Sequence, residues 1–364
     1  MGILVSIIVV SAVAGGLAAA LVIAERFITN YGECEILINK DKSLKVRGGK
    51  SLLESLSQNK IFIPSACGGR GTCAYCKVKV LEGGGPLLPT EEPYLDKDEL
   101  QAGVRLSCQV KVRNDLKITI PEELFSIQEF SATVDRITDL THDIKEFRFR
   151  LKDPPRIDYT PGHYVQLFTP AYDGNEEVYR AYSISSDPKE KDIVELVIRL
   201  VPGGICTTYC FEKLQDGDPV KFNGPYGEFR LSGTRAPMVF IAGGSGMAPI
   251  KCILHQMENE NIQREAVYFF GANHVNELFY LEEMKRFEDV LANFKFVPVV
   301  ARPEEDADWQ GETGLVTEAV DRHFDDASGH EAYLCGSPGM IDASVNVLRG
   351  LGMPQENVFY DKFA

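Results

Sequence analysis

The sequence predicts a multidomain chain of mixed α+β and α/β class: an N-terminal transmembrane helix, a small α+β domain, an antiparallel β-barrel and a doubly wound parallel sheet. Three observations carry that prediction. Residues 2–24 run without a charge, residues 67–76 pack three cysteines and three glycines into ten positions, and beyond residue 237 apolar strands alternate with helical stretches. At 364 residues the chain exceeds what one hydrophobic core ordinarily organises. A formal charge of −15, from 53 acidic and 38 basic side chains, leaves no basic stripe to neutralise phosphates and excludes nucleic acid as a partner.

From Gly2 to Ala24, "GILVSIIVVSAVAGGLAAALVIA" gives 23 residues, roughly 35 Å of helix, enough to cross a bilayer core. No Lys or Arg precedes the run, which is longer than the apolar part of a signal peptide, so residues 1–25 are read as a single-pass membrane anchor. Small residues recur four apart at Ser11, Gly15 and Ala19 and at Ala12, Gly16 and Ala20, a spacing that lets a second transmembrane helix approach. Nine cysteines, five of them placed singly, do not make a secreted disulfide framework, which puts the bulk of the chain in the cytoplasm. Cys34, Cys206, Cys210 and Cys252 are read as core filling.

Cys67, Cys73 and Cys76 are spaced C-x5-C-x2-C, and Cys108 follows 32 residues later in "RLSCQVKV", whose alternation reads as a strand. Zinc ribbons present two C-x2-C knuckles, and this pattern holds one. Plant-type 2Fe–2S proteins use C-x4-C-x2-C with a distant fourth cysteine, the same plan with one residue fewer in the first gap. Gly68, Gly69 and Gly71 let a loop wrap a cluster closely and turn backbone N–H groups toward its sulfurs. The four cysteines are therefore candidate ligands of a 2Fe–2S cluster. Their flanks, "CEILINKDKSLKVRGGKSLLESLSQNKIFIPSACGG" and "ELQAGVRLSCQVKVRNDLKITIP", read as a hairpin, a short helix, the loop and returning strands, a β-grasp ferredoxin layout over 32–125.

With this cysteine spacing behind an apolar N-terminus, the chain resembles the F subunits of the sodium-translocating NADH:quinone reductase over essentially its whole length. The resemblance implies a ferredoxin-reductase module after the cluster domain, with FAD and NADH as cofactors. It also implies reduction of a quinone such as ubiquinone, sodium transport, and integral membrane electron-transfer subunits as partners. The place implied is the inner (cytoplasmic) membrane, anchored through residues 2–24, with the soluble domains facing the cytoplasm.

The module reads in two halves. Over 126–232, short alternating strands such as "HYVQLF" and "VELVIRLV" are broken by Pro and Gly, as in a small antiparallel barrel. Within it "RAYS" looks like the R-x-Y-S flavin motif of the ferredoxin-NADP reductase superfamily. On that likeness Arg180 pairs with the FAD diphosphate, Tyr182 lies against the isoalloxazine ring, and the Ser183 hydroxyl reaches the flavin N5 side. "GICT", from Gly204 to Thr207, matches the second pyrophosphate-binding turn, and "GPYGEF" at 224–229 the closing strand of such barrels.

Over 233–364, "MVFIAGGSGMAPI" is an apolar strand entering a turn at Gly243, Gly244 and Gly246, a nucleotide-diphosphate turn. "EAVYFFGA", "FKFVPVVA" and "EAYLCGSP" follow as strands, with helices expected at 249–259, 279–291 and 338–351, in the order of a doubly wound sheet. "CGSP" resembles the family segment beside the nicotinamide, which makes Cys335 and Gly336 cofactor-binding candidates, with Cys335, Ser183 and the terminal aromatic Phe363 as catalytic ones. Asn273 and His274 stand where NADPH users of the superfamily carry an Arg, and "PEED" at 303–306 adds acid, so NADH is expected. The chain departs from the family between "LFTP" and "RAYS", where nine residues stand in place of a substantial insertion. That departure keeps a second reading open: a stand-alone NADH reductase component that delivers electrons to an oxygenase or another metalloprotein.

Overall fold

The computed structural model describes residues 7, 9–20, 31–303 and 309–363. Much of the expected 1–25 anchor lies outside the described residues; residues 9–20 are helical with exposed side chains. Among the described residues no helix is long and apolar enough to cross a membrane. The rest divides into two compact units, residues 1–65 with 69–126 and residues 66–68 with 127–364.

The first unit is a five-stranded mixed sheet. Strands β1 (Glu33–Ile38) and β2 (Lys42–Arg47) form an antiparallel hairpin whose turn places Asn39 and Lys40 at φ 51° and 75°. Helix α1 (Leu52–Gln58) starts at Ser51, whose hydroxyl accepts from Glu54 N at 3.1 Å. The helix buries Leu52, Leu53 and Leu56 against Ile36 and Ile38, each worth about 1.5–3 kcal/mol of transfer from water. Strands β3 (Lys77–Glu82), β4 (Val104–Leu106) and β5 (Leu116–Thr119) complete the order β2-β1-β5-β3-β4, with β5 parallel to β1. Helix α2 (Lys97–Ala102) is fixed by an Asp96–Glu99 capping box and ends at Gly103 in the left-handed region. Arg105 threads the loop before it, donating to the Gly84, Gly85 and Pro86 carbonyls and pairing with buried Glu91. One sequence expectation is corrected here. The strand at "RLSCQVKV" ends at Leu106, whose carbonyl accepts from Gln109 N at 2.8 Å and Val110 N at 3.1 Å and so closes a turn that carries Cys108; Ser107 N–H still donates to the Cys76 carbonyl at 2.8 Å, the last rung of the β3–β4 ladder.

The second unit opens with six antiparallel strands: β6 (Gln128–Asp139), β7 (Ile144–Asp153), β8 (Tyr164–Thr169), β9 (Val178–Ser183), β10 (Ile193–Arg199) and β11 (Pro219–Tyr226). Their order is β10-β7-β6-β11-β8-β9, and a bridge from Ile184 to Leu196 joins the two edges into a barrel. The closing strand thus ends at Tyr226, three residues short of the expected 229. "GICT" opens helix α3 (Ile205–Glu212) and is not only a turn.

The parallel sheet follows: β12 (Met238–Gly243), α4 (Met247–Asn259), β13 (Ala266–Ala272), α5 (Leu281–Val290), β14 (Phe294–Val300), β15 (Glu312–Thr313), α6 (Val316–His323), β16 (Glu331–Gly336), α7 (Pro338–Gly350) and β17 (Val358–Lys362). The order β15-β14-β13-β12-β16-β17 winds outward from β12 in both directions, and its fully apolar central strands are those of a sheet covered on both faces.

Barrel and parallel sheet meet at a buried charged knot. Lys251 Nζ on α4 lies 3.2 Å from Glu195 and 3.5 Å from Glu146 of the barrel, and 3.7 Å from Glu283 of α5. Tyr280 donates to Glu146 at 2.5 Å and places its ring 4.5 Å from the Lys251 ammonium. Burial would neutralise the lysine, but the three carboxylates hold its pKa above the ordinary value.

Candidate functional site

Residues 61–76 approach β3 without regular structure, and Gly68, Gly69, Gly71 and Ala74 all take positive φ, the backbone a tight sulfur-lined loop requires. Ser65 Oγ accepts from Gly69 N at 3.0 Å and fixes the bend between Cys67 and Cys73. Cys67 and Cys73 are half-buried on this loop, Cys76 is buried at its end, and Cys108 comes from the turn after β4. Cys76 and Cys108 touch: the Cys108 thiol, together with burial, drives the Cys76 pKa far above the ordinary thiol range. Two cysteine sulfurs this close, one at the end of a glycine-rich loop and one on the facing turn, fit ligands of one iron. Among the described residues no three His, Cys, Asp or Glu side chains converge on a single ion.

On β9, Arg180 donates to its own neighbour's carbonyl, Tyr179 O, at 2.7 Å, which leaves its other nitrogens for a diphosphate. Tyr182 donates to Cys206 Sγ at 3.3 Å, at the start of α3. Gly204 precedes that helix, and the Thr207 hydroxyl accepts from Val201 N at 3.1 Å, closing the turn. The Cys210 thiol next to Cys206 draws the Cys206 pKa down to about 7. Residues read only as core filling thus support the tyrosine.

The glycine turn sits at the switch point between β12 and β16, where ligands bind in open α/β sheets. A Cβ at Gly246 would lie 2.2 Å from the Cys335 carbonyl oxygen, so only glycine fits, and Gly244 takes φ 55°. A Cβ at Gly243 would lie 3.2 Å from Gly271 O, and one at Gly336, which takes φ 145°, 2.8 Å from Met340 Cε. Cys335 is fully buried at the end of β16, its pKa pushed well up by burial and then by Asp361. Phe363 N donates to Gly336 O at 2.9 Å, which docks the C-terminus on the same strand end.

Asp361 was missed in the sequence. It pairs in register with Cys335 across β16 and β17, and Ser183 Oγ donates to its Oδ2 at 3.4 Å. Barrel and sheet therefore bring Ser183, Cys335, Asp361 and Phe363 to one place. Burial raises the Asp361 carboxyl to about 6, against the lowering effect of Ser183. Because folding raises this pKa, the fold favours the protonated acid: the stability it contributes is full below about pH 4 and is lost as pH rises through 6. Asp361→Asn should slow NADH reduction of the flavin at pH 8 by roughly ten- to a hundred-fold, the value of one charge-assisted hydrogen bond. It should also flatten the rate between pH 5 and 7. A stopped-flow pH profile identical to that of the parent protein refutes the role.

At Asn273 the N–H and Nδ2 both donate to Glu277, at 3.0 and 3.2 Å, so the position where the resemblance puts the Arg of NADPH users is paired with a carboxylate. Of the acidic 303–306 stretch, 304–306 lie outside the described residues.

Comparison with known proteins adds three family matches: a 2Fe-2S iron-sulfur cluster binding domain at 36–113, an oxidoreductase FAD-binding domain at 131–231 and an oxidoreductase NAD-binding domain at 240–346. The chain is 35% identical to the F subunit of the Na(+)-translocating NADH-quinone reductase of Pseudomonas aeruginosa, over 97% of this chain and 96% of that one. The same-named protein of Methylococcus capsulatus is 35% identical over 91% and 92%. That first alignment runs over 395 positions against a chain of 364, so the relative has at least 31 positions without a counterpart here. Among solved structures, an Amycolatopsis cytochrome P-450 reductase superposes with a TM-score of 0.74 at 27% identity, covering 91% of this chain and 98% of that one.

Proposed function

The chain belongs to the family of F subunits of Na(+)-translocating NADH-quinone reductases, and we propose that it hands electrons from NADH, by way of FAD and a 2Fe–2S cluster, to a quinone or an integral membrane redox partner. It is an NADH-driven flavo-iron-sulfur oxidoreductase. The observation that carries the proposed route is the meeting of Ser183 from the barrel with Cys335 and Asp361 at the ends of β16 and β17, which gives flavin and nicotinamide one shared floor. FAD, when bound, supplies the change from two-electron hydride chemistry to single electrons, which the cluster accepts one at a time.

The residues divide the work. Arg180, Gly204 and Thr207 hold the FAD diphosphate, and Tyr182 packs on its ring. Ser183 presents its hydroxyl to the hydride-accepting edge, with Asp361 as proton partner at Oδ2. Gly243, Gly244 and Gly246 admit the NADH diphosphate; Cys335 and Gly336 wall the nicotinamide, and Phe363 covers the flavin until NADH arrives. Cys67, Cys73, Cys76 and Cys108 ligate the cluster. We assign 32–125 to the cluster, 126–232 to FAD and 233–364 to NADH, a division supported by the three family matches. Residues 2–24 serve as a single-pass anchor in the inner membrane, with the soluble domains on the cytoplasmic side.

Rapid mixing with NADH should reduce flavin first and cluster second. A cluster reduced ahead of the flavin overturns the route. The stand-alone reductase reading is favoured by one feature: β8 and β9 are joined by residues 170–177 alone, closed by a Tyr172–Asn175 bridge, which removes surface on which the other proteins of a pump could dock.

A further inference from the structure

Cys108 is bracketed by two polar residues, Ser107, which pairs through its backbone with Cys76, and Gln109, which donates to Cys108 itself. Ser107 is fully buried, and its hydroxyl is one of the few buried polar atoms left without a hydrogen-bond partner. An orphaned buried hydroxyl is costly and calls for an acceptor. Its backbone N–H donates to the Cys76 carbonyl at 2.8 Å in continuation of the β3–β4 pairing, which makes Ser107 the cross-strand neighbour of Cys76. On the other side, Gln109 Nε2 donates to Cys108 Sγ at 3.6 Å. The amide is oriented from outside: Thr90 Oγ1 donates to Gln109 Oε1 at 3.1 Å, which leaves the amide nitrogen pointing inward. Gly71 makes room for it, since a Cβ there would lie 2.6 Å from that nitrogen.

We propose that Ser107 and Gln109 are the hydrogen-bond donors that raise the reduction potential of the cluster, Ser107 through Cys76 and Gln109 through Cys108, with Thr90 as the positioning residue for the amide. One electron accepted by the cluster adds one negative charge, spread onto its ligand sulfurs. A donor aimed at a ligand sulfur is therefore stronger in the reduced state, and the equilibrium moves toward reduction. Two donors on adjacent ligands make the cluster a better acceptor for electrons leaving the flavin. The inference rests on the 2Fe–2S reading of the four cysteines, and the measurements below separate the two.

The test is an EPR-monitored redox titration of the full-length protein with both cofactors bound, beside iron and acid-labile sulfide analysis. Ser107→Ala and Gln109→Leu should each shift the cluster's reduction equilibrium about tenfold toward the oxidised form, which is about 59 mV for one electron. Thr90→Val should shift it the same way by a smaller factor, and Ser107→Thr should restore most of the parent value. Iron, sulfide and the flavin potential should not move. If Ser107→Ala fails to assemble its cluster, Gln109→Leu and the exposed Thr90→Val decide the matter. Midpoints that stay at the parent value with full iron content overturn the proposal. Parent protein without iron or sulfide overturns the cluster reading beneath it.

Discussion

Replacing Cys73 by Ser should abolish the visible and EPR signals of the cluster while leaving FAD in place and reducible by NADH. The serine oxygen is a far weaker partner for iron than a thiolate, and a plant-type 2Fe–2S site has no spare ligand to substitute. Cys73 lies on the glycine-rich stretch before β3, and Arg180, Tyr182, Gly204 and Thr207 belong to the barrel, so flavin retention does not depend on it. NADH-to-ferricyanide turnover, which can draw on the flavin directly, should persist within a few-fold. Turnover to acceptors served only through the cluster should fall by at least about a hundred-fold, the scale on which the loss of an essential relay is read as a barrier. Full iron and sulfide content in the variant removes Cys73 from the ligand set.

Removing residues 1–25 should leave NADH-to-ferricyanide turnover nearly intact and abolish NADH-to-quinone turnover in membranes. The uncharged run from Gly2 to Ala24 is the proposed anchor, and the eight residues "ERFITNYG" between it and β1 reach roughly 28 Å at full extension. On the proposed anchoring, so short a lead would keep the cluster domain near the bilayer surface, which would suit a lipid-soluble or integral acceptor. A truncated protein that serves its native acceptor equally well in solution replaces this reading with the soluble reductase of an oxygenase.

Local chemistry made much of this legible in the sequence. Three candidate ligand cysteines sit within ten residues, the glycine turn follows directly on its strand, and helices read at 249–259 and 338–351 differ from those observed by no more than two residues at an end. What escaped is what tertiary folding creates. Asp361 is one acid among many until β17 pairs with β16 and carries it to Ser183. Lys251 sits in an ordinary amphipathic helix, and its three carboxylate partners come from distant strands and another helix. At Cys108 the alternation reads as a strand, but the Leu106 carbonyl accepts from Gln109 N and Val110 N and turns the backbone. Periodicity records which side of an element is buried, and a turn closed by main-chain bonds among alternating residues leaves no trace in it.

The Lys251 knot has a consequence for the ionic conditions under which the enzyme can work. Pairs such as Lys50–Glu54, with both side chains about half exposed, weaken as dissolved ions gather round them. Lys251, Glu146 and Glu195 are all less than a tenth exposed, so mobile ions cannot reach them. The packing of barrel against parallel sheet at this knot should then depend little on ionic strength, so a thermal unfolding midpoint of the two-domain module should change less with added sodium chloride than surface pairs alone would make it.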